Sequence, residues 1–156
     1  MNRERVTSFG FRALVPFLLF TLTMVSCGGD KSVNEQTLDR LDQKELQLYT
    51  NGRQLYTRYC QNCHMEDGQG LGQLIPPLAK ADYLINDLSR AARLIKYGQK
   101  GPIEVNGKTY NQPMPANPKL TNQEIQMLLT YIGNAWGNSS KILAINTIEE
   151  ALTAEE

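Results

Sequence analysis

The sequence Cys60-Gln61-Asn62-Cys63-His64 holds two of the three cysteines of this 156-residue chain and its single histidine. The two thiols stand three positions apart, and the histidine follows the second one directly. Thiol and imidazole side chains in such a cluster bind zinc, exchange disulfides or attach a prosthetic group covalently. The residues on either side, together with the ends of the chain, distinguish between these chemistries.

Covalent attachment of haem is the chemistry that this spacing favours. A structural zinc site needs four ligands, and beyond Cys60, Cys63 and His64 the chain offers only Cys27 as a further Cys or His. A thioredoxin-like pair occurs beside a βαβ unit, whereas the pattern here is helical, and a Cys60–Cys63 disulfide would close too small a loop to stabilise much. Cys-x-x-Cys-His is the attachment motif of c-type haem. The sequence therefore predicts one covalently bound haem c, attached through Cys60 and Cys63, with His64 as an axial ligand.

Met114 is the predicted second axial ligand. It lies fifty residues after His64, between Pro113 and Pro115, which stiffen its loop. The other methionines lie in the leader, next to His64 or off the apolar face of a predicted helix, and they are Met1, Met24, Met65 and Met127. The alternative for Met114 is simple core packing. Iron ligated on both faces has no open position for a substrate, and Met/His ligation raises the reduction potential, so we expect one-electron transfer rather than catalysis.

The first 26 residues have the layout of a secretory leader. Three arginines precede a short apolar stretch at 13–25, which is too short to span a bilayer. The following Met24-Val25-Ser26-Cys27 resembles the lipobox of bacterial lipoproteins, with Met where Leu is usual. We predict a lipoprotein signal peptide at 1–26, lipidation of Cys27, a tether at 27–45, and a location on the periplasmic side of a bacterial membrane. The alternatives are a soluble secreted protein with a chance cysteine and an uncleaved anchor.

Periodicity and capping residues predict three main helices. A capping box of Asp42 and Glu45 begins a helix at 43–60, Asp87 begins a second helix that ends at Gly98, and Thr121 begins a third that ends near residue 134. Asn-Gly at 106–107 favours a short hairpin at 103–110. The polar stretch 32–40 suits a flexible tether. The acidic tail at 138–156 is expected either to form one short docking helix through its isoleucines or to stay without order.

These residues together resemble the class I cytochrome c family over residues 46–137. The resemblance implies an all-α, cytochrome c-like fold, with three main helices around one covalent haem and a small hairpin before the distal Met114. It also implies that the Pro76 carbonyl accepts a hydrogen bond from His64 Nδ1 and that Leu78 packs on the haem face. The shared pattern comprises Gly52, Tyr56, Cys60, Cys63, His64, Gly68, Gly70, Pro76-Pro77-Leu78, residues 97–102, Met114-Pro115 and residues 128–132.

Two further expectations follow from the same resemblance. Gly52 and Tyr56 should meet Leu128 or Tyr131 where the first and last helices cross. Tyr110 or Trp136 should help to bury the haem propionates.

The expected function is electron transfer by a membrane-tethered carrier that serves an oxidase, a reductase or a dehydrogenase. The alternative is a permanent electron-transfer subunit of a dehydrogenase or reductase complex. A gas sensor or peroxidase would need a labile Met114 or a distal acid–base residue, and the chain has no second histidine. A formal net charge of zero argues against a nucleic-acid partner.

Overall fold

The computed structural model describes residues 33–154, with side chains described from Thr37 onward. The described segment is mostly helical, with one antiparallel hairpin in which Ile103 pairs with Tyr110. No helix within it is long and apolar enough to cross a membrane. In chain order the elements are α1 (Val33–Arg40), α2 (Gln43–Tyr59), α3 (Gln61–His64), α4 (Asp82–Ile85), α5 (Leu88–Tyr97), β1 (Ile103–Val105), β2 (Lys108–Tyr110), α6 (Asn122–Ile132) and α7 (Ile145–Thr153).

The three predicted main helices are α2, α5 and α6, and their predicted caps are present. The side chain of Asp42 accepts a hydrogen bond from the Glu45 N–H, and that of Thr121 accepts one from the Glu124 N–H. Each glutamate closes its capping box with the backbone of its partner. Asp87 caps α5, and Gly98 ends it with a positive φ of 84°. These signals are local in sequence, which is why they predicted the helix ends well.

Helices α2 and α6 cross at Gly52, as predicted. A Cβ on Gly52 would lie 1.9 Å from the Met127 carbonyl oxygen and 2.9 Å from the Tyr131 Cβ. The Tyr56 and Tyr131 rings stand beside this crossing, with their centroids 5.3 Å apart. The missing side chain therefore lets the two backbones approach, and this contact accounts for a glycine inside a helix.

Gly52→Ala is expected to lower the free energy of unfolding by about 2 kcal/mol. Overpacking at this crossing costs about 3 kcal/mol, and the better helix propensity of alanine offsets about 1 kcal/mol of it. Urea unfolding of the purified protein measures the change. Gln54→Ala on the exposed face of α2 is the matched control, and equal stability of the two variants would contradict the close approach.

The predicted flexible tether is wrong for residues 33–40, which form α1 and dock on the turn after α6. Thr37 is only 2% exposed and donates a hydrogen bond from Oγ1 to the Asn134 carbonyl at 3.1 Å. The Arg40 guanidinium donates to Ser139 Oγ and to the Asn138 carbonyl. These contacts join segments that lie far apart in sequence, so the polar composition of α1 did not reveal them.

The predicted tail at 138–156 contains α7, and of its two expected states the docked helix is the one present. Ile148 is fully buried in the core, and α7 packs against α5 and α6. Two hydrogen bonds fix its position, from Tyr97 OH to the Leu152 carbonyl at 2.8 Å and from Gln126 Nε2 to the Leu143 carbonyl at 2.8 Å. The core therefore extends well beyond residue 137.

Candidate functional site

A large apolar cleft lies between the end of α2, α3, α5, the hairpin and α6. The space inside it, counted together with the solvent at its open mouth, is about 1070 Å³. Most of the lining side chains are apolar. The structure brings all six residues predicted to bind the cofactor to this one cleft, namely Cys60, Cys63, His64, Pro76, Leu78 and Met114. Cys27, the predicted lipidation site, lies outside the described residues.

The two thiols reach the cleft because the chain turns at the junction of α2 and α3. Cys60 ends α2, with its N–H bonded to the Tyr56 carbonyl at 2.9 Å, and its own carbonyl accepts from the N–H groups of Cys63 and His64. Both cysteines within residues 33–154 are free thiols, with Cys60 half-buried and Cys63 exposed. Burial, with a smaller contribution from Cys63, raises the pKa of Cys60 to about 12. Two free thiols are thus available for thioether bonds along the cleft.

His64 is held by the bond that the resemblance implied. It is 8% exposed, and its Nδ1 lies 3.1 Å from the Pro76 carbonyl oxygen. A carbonyl oxygen only accepts, so Nδ1 donates the hydrogen and Nε2 is the nitrogen left to bind a metal. Burial lowers the pKa of His64, and the bond to Pro76 acts in the opposite direction with a smaller effect. The neutral imidazole is the form that metals bind.

Two glycines let the loop after His64 fold back onto it. A Cβ on Gly70, which has a φ of +69°, would lie 2.2 Å from the Ile75 carbonyl oxygen and 2.5 Å from that of Pro76. The Gly68 carbonyl accepts hydrogen bonds from the N–H groups of Leu78 at 2.7 Å and Ala79 at 3.0 Å. The backbone thereby places Pro76 against the His64 ring and Leu78 on the cleft wall.

Met114 is presented by a loop that is tied to the segment after α5. The Gln99 N–H donates to the Met114 carbonyl at 2.9 Å, and the Met114 N–H donates back to the Gln99 carbonyl at 3.0 Å. A Cβ on Gly98 would lie 2.7 Å from the Met114 carbonyl oxygen, so a glycine is needed beside this pairing. The Met114 thioether is half-buried and lines the cleft. The role of Gln99 was not predicted, because a single backbone pairing leaves no pattern in the sequence.

The two aromatic residues expected near the propionates lie in different parts of the structure. Tyr110 is buried and lines the cleft. Trp136 instead packs against Tyr56 and Tyr131, with centroids 5.1 and 5.3 Å away, and donates from Nε1 to the Glu66 carbonyl at 3.0 Å. Trp136 thus belongs to the aromatic cluster between α2 and α6.

Arg90 is a cleft residue that the sequence did not indicate. Its guanidinium lies over the Tyr83 ring, 3.8 Å from the centroid. Its Nε is buried without a hydrogen-bond partner among the described residues. The guanidinium also donates to the Tyr83 carbonyl and lies 4.0 Å from a carboxylate oxygen of Asp87, so its own neighbours hold it at the cleft wall.

The cytochrome c family profile matches residues 49–136 of this chain. The chain belongs to the cytochrome c family. Two related sequences are cytochromes c-552 of Thermus thermophilus, each 34% identical over 110 residues, which is 68% of this chain and 80% or 71% of the relative. A third is the cytochrome c subunit of the quinone-dependent alcohol dehydrogenase of Gluconobacter oxydans, 30% identical over 91 residues, which is 57% of this chain and 19% of that subunit. The observed helices and hairpin agree with the cytochrome c fold.

Membership of this family establishes the cofactor and the kind of activity. Cytochromes c bind haem c covalently and carry electrons, so this chain is an electron carrier rather than an enzyme, with one haem c as its cofactor. The cleft fits that group, because it offers two free thiols, a buried imidazole and a thioether in an otherwise apolar lining.

Proposed function

We propose that this chain is a lipid-anchored, monohaem one-electron carrier that exchanges electrons with a respiratory or periplasmic redox protein. In this proposal Cys60 and Cys63 would hold the haem through thioether bonds, and His64 and Met114 would supply the side chains that ligate its iron. The observation that carries it is the convergence of these four side chains on one apolar cleft. The haem supplies an iron that alternates between Fe(III) and Fe(II).

The protein's own residues hold the two proposed iron ligands in place and keep water out of the cleft. The bond from His64 Nδ1 to Pro76 fixes the imidazole in one orientation, which limits movement of the ligand between oxidation states. The reciprocal backbone bonds between Gln99 and Met114 do the same for the second ligand. The apolar lining excludes water and so favours the less charged reduced state. Cys63 is exposed, so a cofactor joined to it would be accessible to a partner protein on that side of the cleft.

The proposed membrane anchor is Cys27. Because helix α1 is docked on the domain, it adds no length to the tether between Cys27 and the domain. Only residues 28–32 separate Cys27 from the start of α1, and such a segment spans at most about 20 Å. The cytochrome domain would therefore stay close to the membrane surface, where membrane-bound redox enzymes present their electron-transfer sites. In this proposal the domain lies on the periplasmic side of the envelope, and its partner is membrane-bound.

A permanent subunit of a dehydrogenase or reductase is the second candidate. One relative is the cytochrome subunit of a dehydrogenase. In addition, Leu71 and Leu74 are 49% and 59% exposed, and Leu74 lines the cleft, so an apolar surface adjoins the haem site. Recovery of the chain in a stoichiometric complex after mild detergent extraction would favour this candidate over a mobile carrier.

Cell fractionation and redox titration of the mature protein test the leading proposal. We expect the wild-type protein in the membrane fraction, with a titration that follows a one-electron Nernst curve. Cys27→Ala should move the protein to the soluble fraction without altering the curve, whereas the control Ser32→Ala should stay with the membrane. Membrane retention of the Cys27→Ala protein would contradict the lipid anchor, and a titration that is not one-electron would contradict the carrier.

A further inference from the structure

Asn138 lies two residues beyond the segment that matches the family profile, yet it contacts the loop that holds His64. Its side chain is 1% exposed. Its Nδ2 donates to the Leu78 carbonyl at 2.9 Å and to the Ile132 carbonyl at 2.6 Å, and its Oδ1 accepts from the Lys80 N–H at 2.7 Å. One amide group therefore uses both of its hydrogens and its oxygen to join the loop to the end of α6.

The contacted loop is the one that orients the proximal imidazole. The Leu78 carbonyl follows the His64 acceptor, Pro76, by two residues, and Leu78 itself lines the cleft. The bonds from Leu78 and Ala79 to Gly68 connect this loop only to the turn that follows His64. The bonds from Asn138 connect it to α6, a long helix of the core.

The backbone on both sides of these bonds is held in conformations that need support. Lys80 has a φ of +52° although it is not a glycine, and its N–H is the donor to Asn138. Trp136 and Gly137 have φ values of +53° and +86°, which form the tight turn that aims Asn138 inward. Non-glycine residues persist in this region where the surrounding structure holds them there.

We propose that Asn138 is a positioning residue for the proximal ligand: it fixes the loop of Pro76 and Leu78 to α6 and so keeps the His64 Nδ1–Pro76 bond at its observed length. The proposal rests on the ligation by His64 that is proposed above. It assigns a role in the haem site to the segment after residue 137, for which the family resemblance supplies none.

Hydrogen exchange in the reduced holoprotein, followed by NMR, tests this role. Asn138→Ala should speed the exchange of the His64 Nδ1–H and the Lys80 N–H by about tenfold, the effect of one lost hydrogen bond. The reduction potential should shift as well, because the imidazole is less firmly oriented. Asn138→Asp, which keeps an acceptor for Lys80 but loses both donors, should speed exchange at His64 more than at Lys80, and it replaces the alanine variant should that protein fail to fold.

Asn134→Ala is the matched control. Asn134 is equally buried, lies in the same turn and donates to the Thr130 carbonyl at 3.0 Å, within its own helix end. It should lose global stability without a specific change at His64 or in the potential. Equal exchange rates and potentials in the two alanine variants would overturn the positioning role. A wild-type protein whose optical spectrum lacks low-spin haem would instead contradict the ligation itself.

Discussion

Met114→Ala protein is expected to bind carbon monoxide and to have a much lower reduction potential than the wild type. Removing the thioether leaves one axial position open. The potential should fall by a sizeable fraction of the roughly 0.8 V over which axial ligands set haem potentials. The loop itself should stay in place, because the bonds that tie it to Gln99 are made by backbone atoms. Potentiometric titration and carbon monoxide difference spectra measure both effects.

Met127→Ala is the control for this change. Met127 is half-buried on α6, and its carbonyl, which the substitution retains, lies at the crossing with Gly52. This variant should lose some stability and keep the wild-type potential and spectrum. An unchanged spectrum in the Met114→Ala protein would show that another side chain ligates the iron, and Met114 would then be a packing residue.

A Cys60→Ala, Cys63→Ala double variant is expected to lose covalent haem and most of its stability. Without the cofactor, the apolar cleft between α2, α5 and α6 has no group to fill it, and its lining is exposed to water. The free energy of unfolding should fall by at least about 4–5 kcal/mol, which is more than most single substitutions cost. Mass spectrometry of the denatured protein and far-ultraviolet circular dichroism during heating measure the two losses.

Cys27→Ala is the control that distinguishes the effect of losing the haem from the effect of losing any cysteine. This protein should keep the haem mass and the thermal stability of the wild type, because Cys27 lies outside the segment that matches the family. A double variant that unfolds at the wild-type temperature would show that the polypeptide core alone suffices. The dependence of the fold on its cofactor would then be refuted.

The sequence predicted those parts of the fold whose signals are local. Capping boxes predict the starts of α2 and α6, and Asp87 and Gly98 predict the two ends of α5. Each of these helices begins and ends within a residue or two of its predicted bounds. The hairpin follows from Asn106-Gly107, both of which adopt positive φ. Helices α3 and α4 have four residues each, too few for a periodic pattern.

The terminal segments were harder to predict because tertiary contacts determine their structure. An isolated helix as short as α1 or α7 is marginal in water, so each depends on a surface on which to dock. For α7 that surface is formed by α5 and α6, and the buried Ile148 is the residue that anchors it. For α1 the docking surface is the turn at residues 134–139, which α1 contacts through polar side chains. Such side chains are equally typical of a flexible tether, so they did not indicate a docked helix.

In the candidate site, too, the residues with a local sequence signal were predicted and those that act through long-range contacts were not. The Cys60–His64 segment is a contiguous motif, and the cleft position of Met114 agrees with a prediction made from its neighbours and from elimination. The side chains that hold the site together, Asn138 above all, act through single long-range hydrogen bonds. Such bonds leave no period or motif in one sequence.

The optical spectrum of the matured protein, oxidised and reduced, with and without carbon monoxide, is the most direct test of the proposed ligation. The structure predicts a low-spin c-type spectrum with the weak far-red band of Met-ligated Fe(III) and no response to carbon monoxide. A high-spin spectrum, or one that changes with carbon monoxide, would contradict ligation by His64 and Met114 and would mean an open iron site.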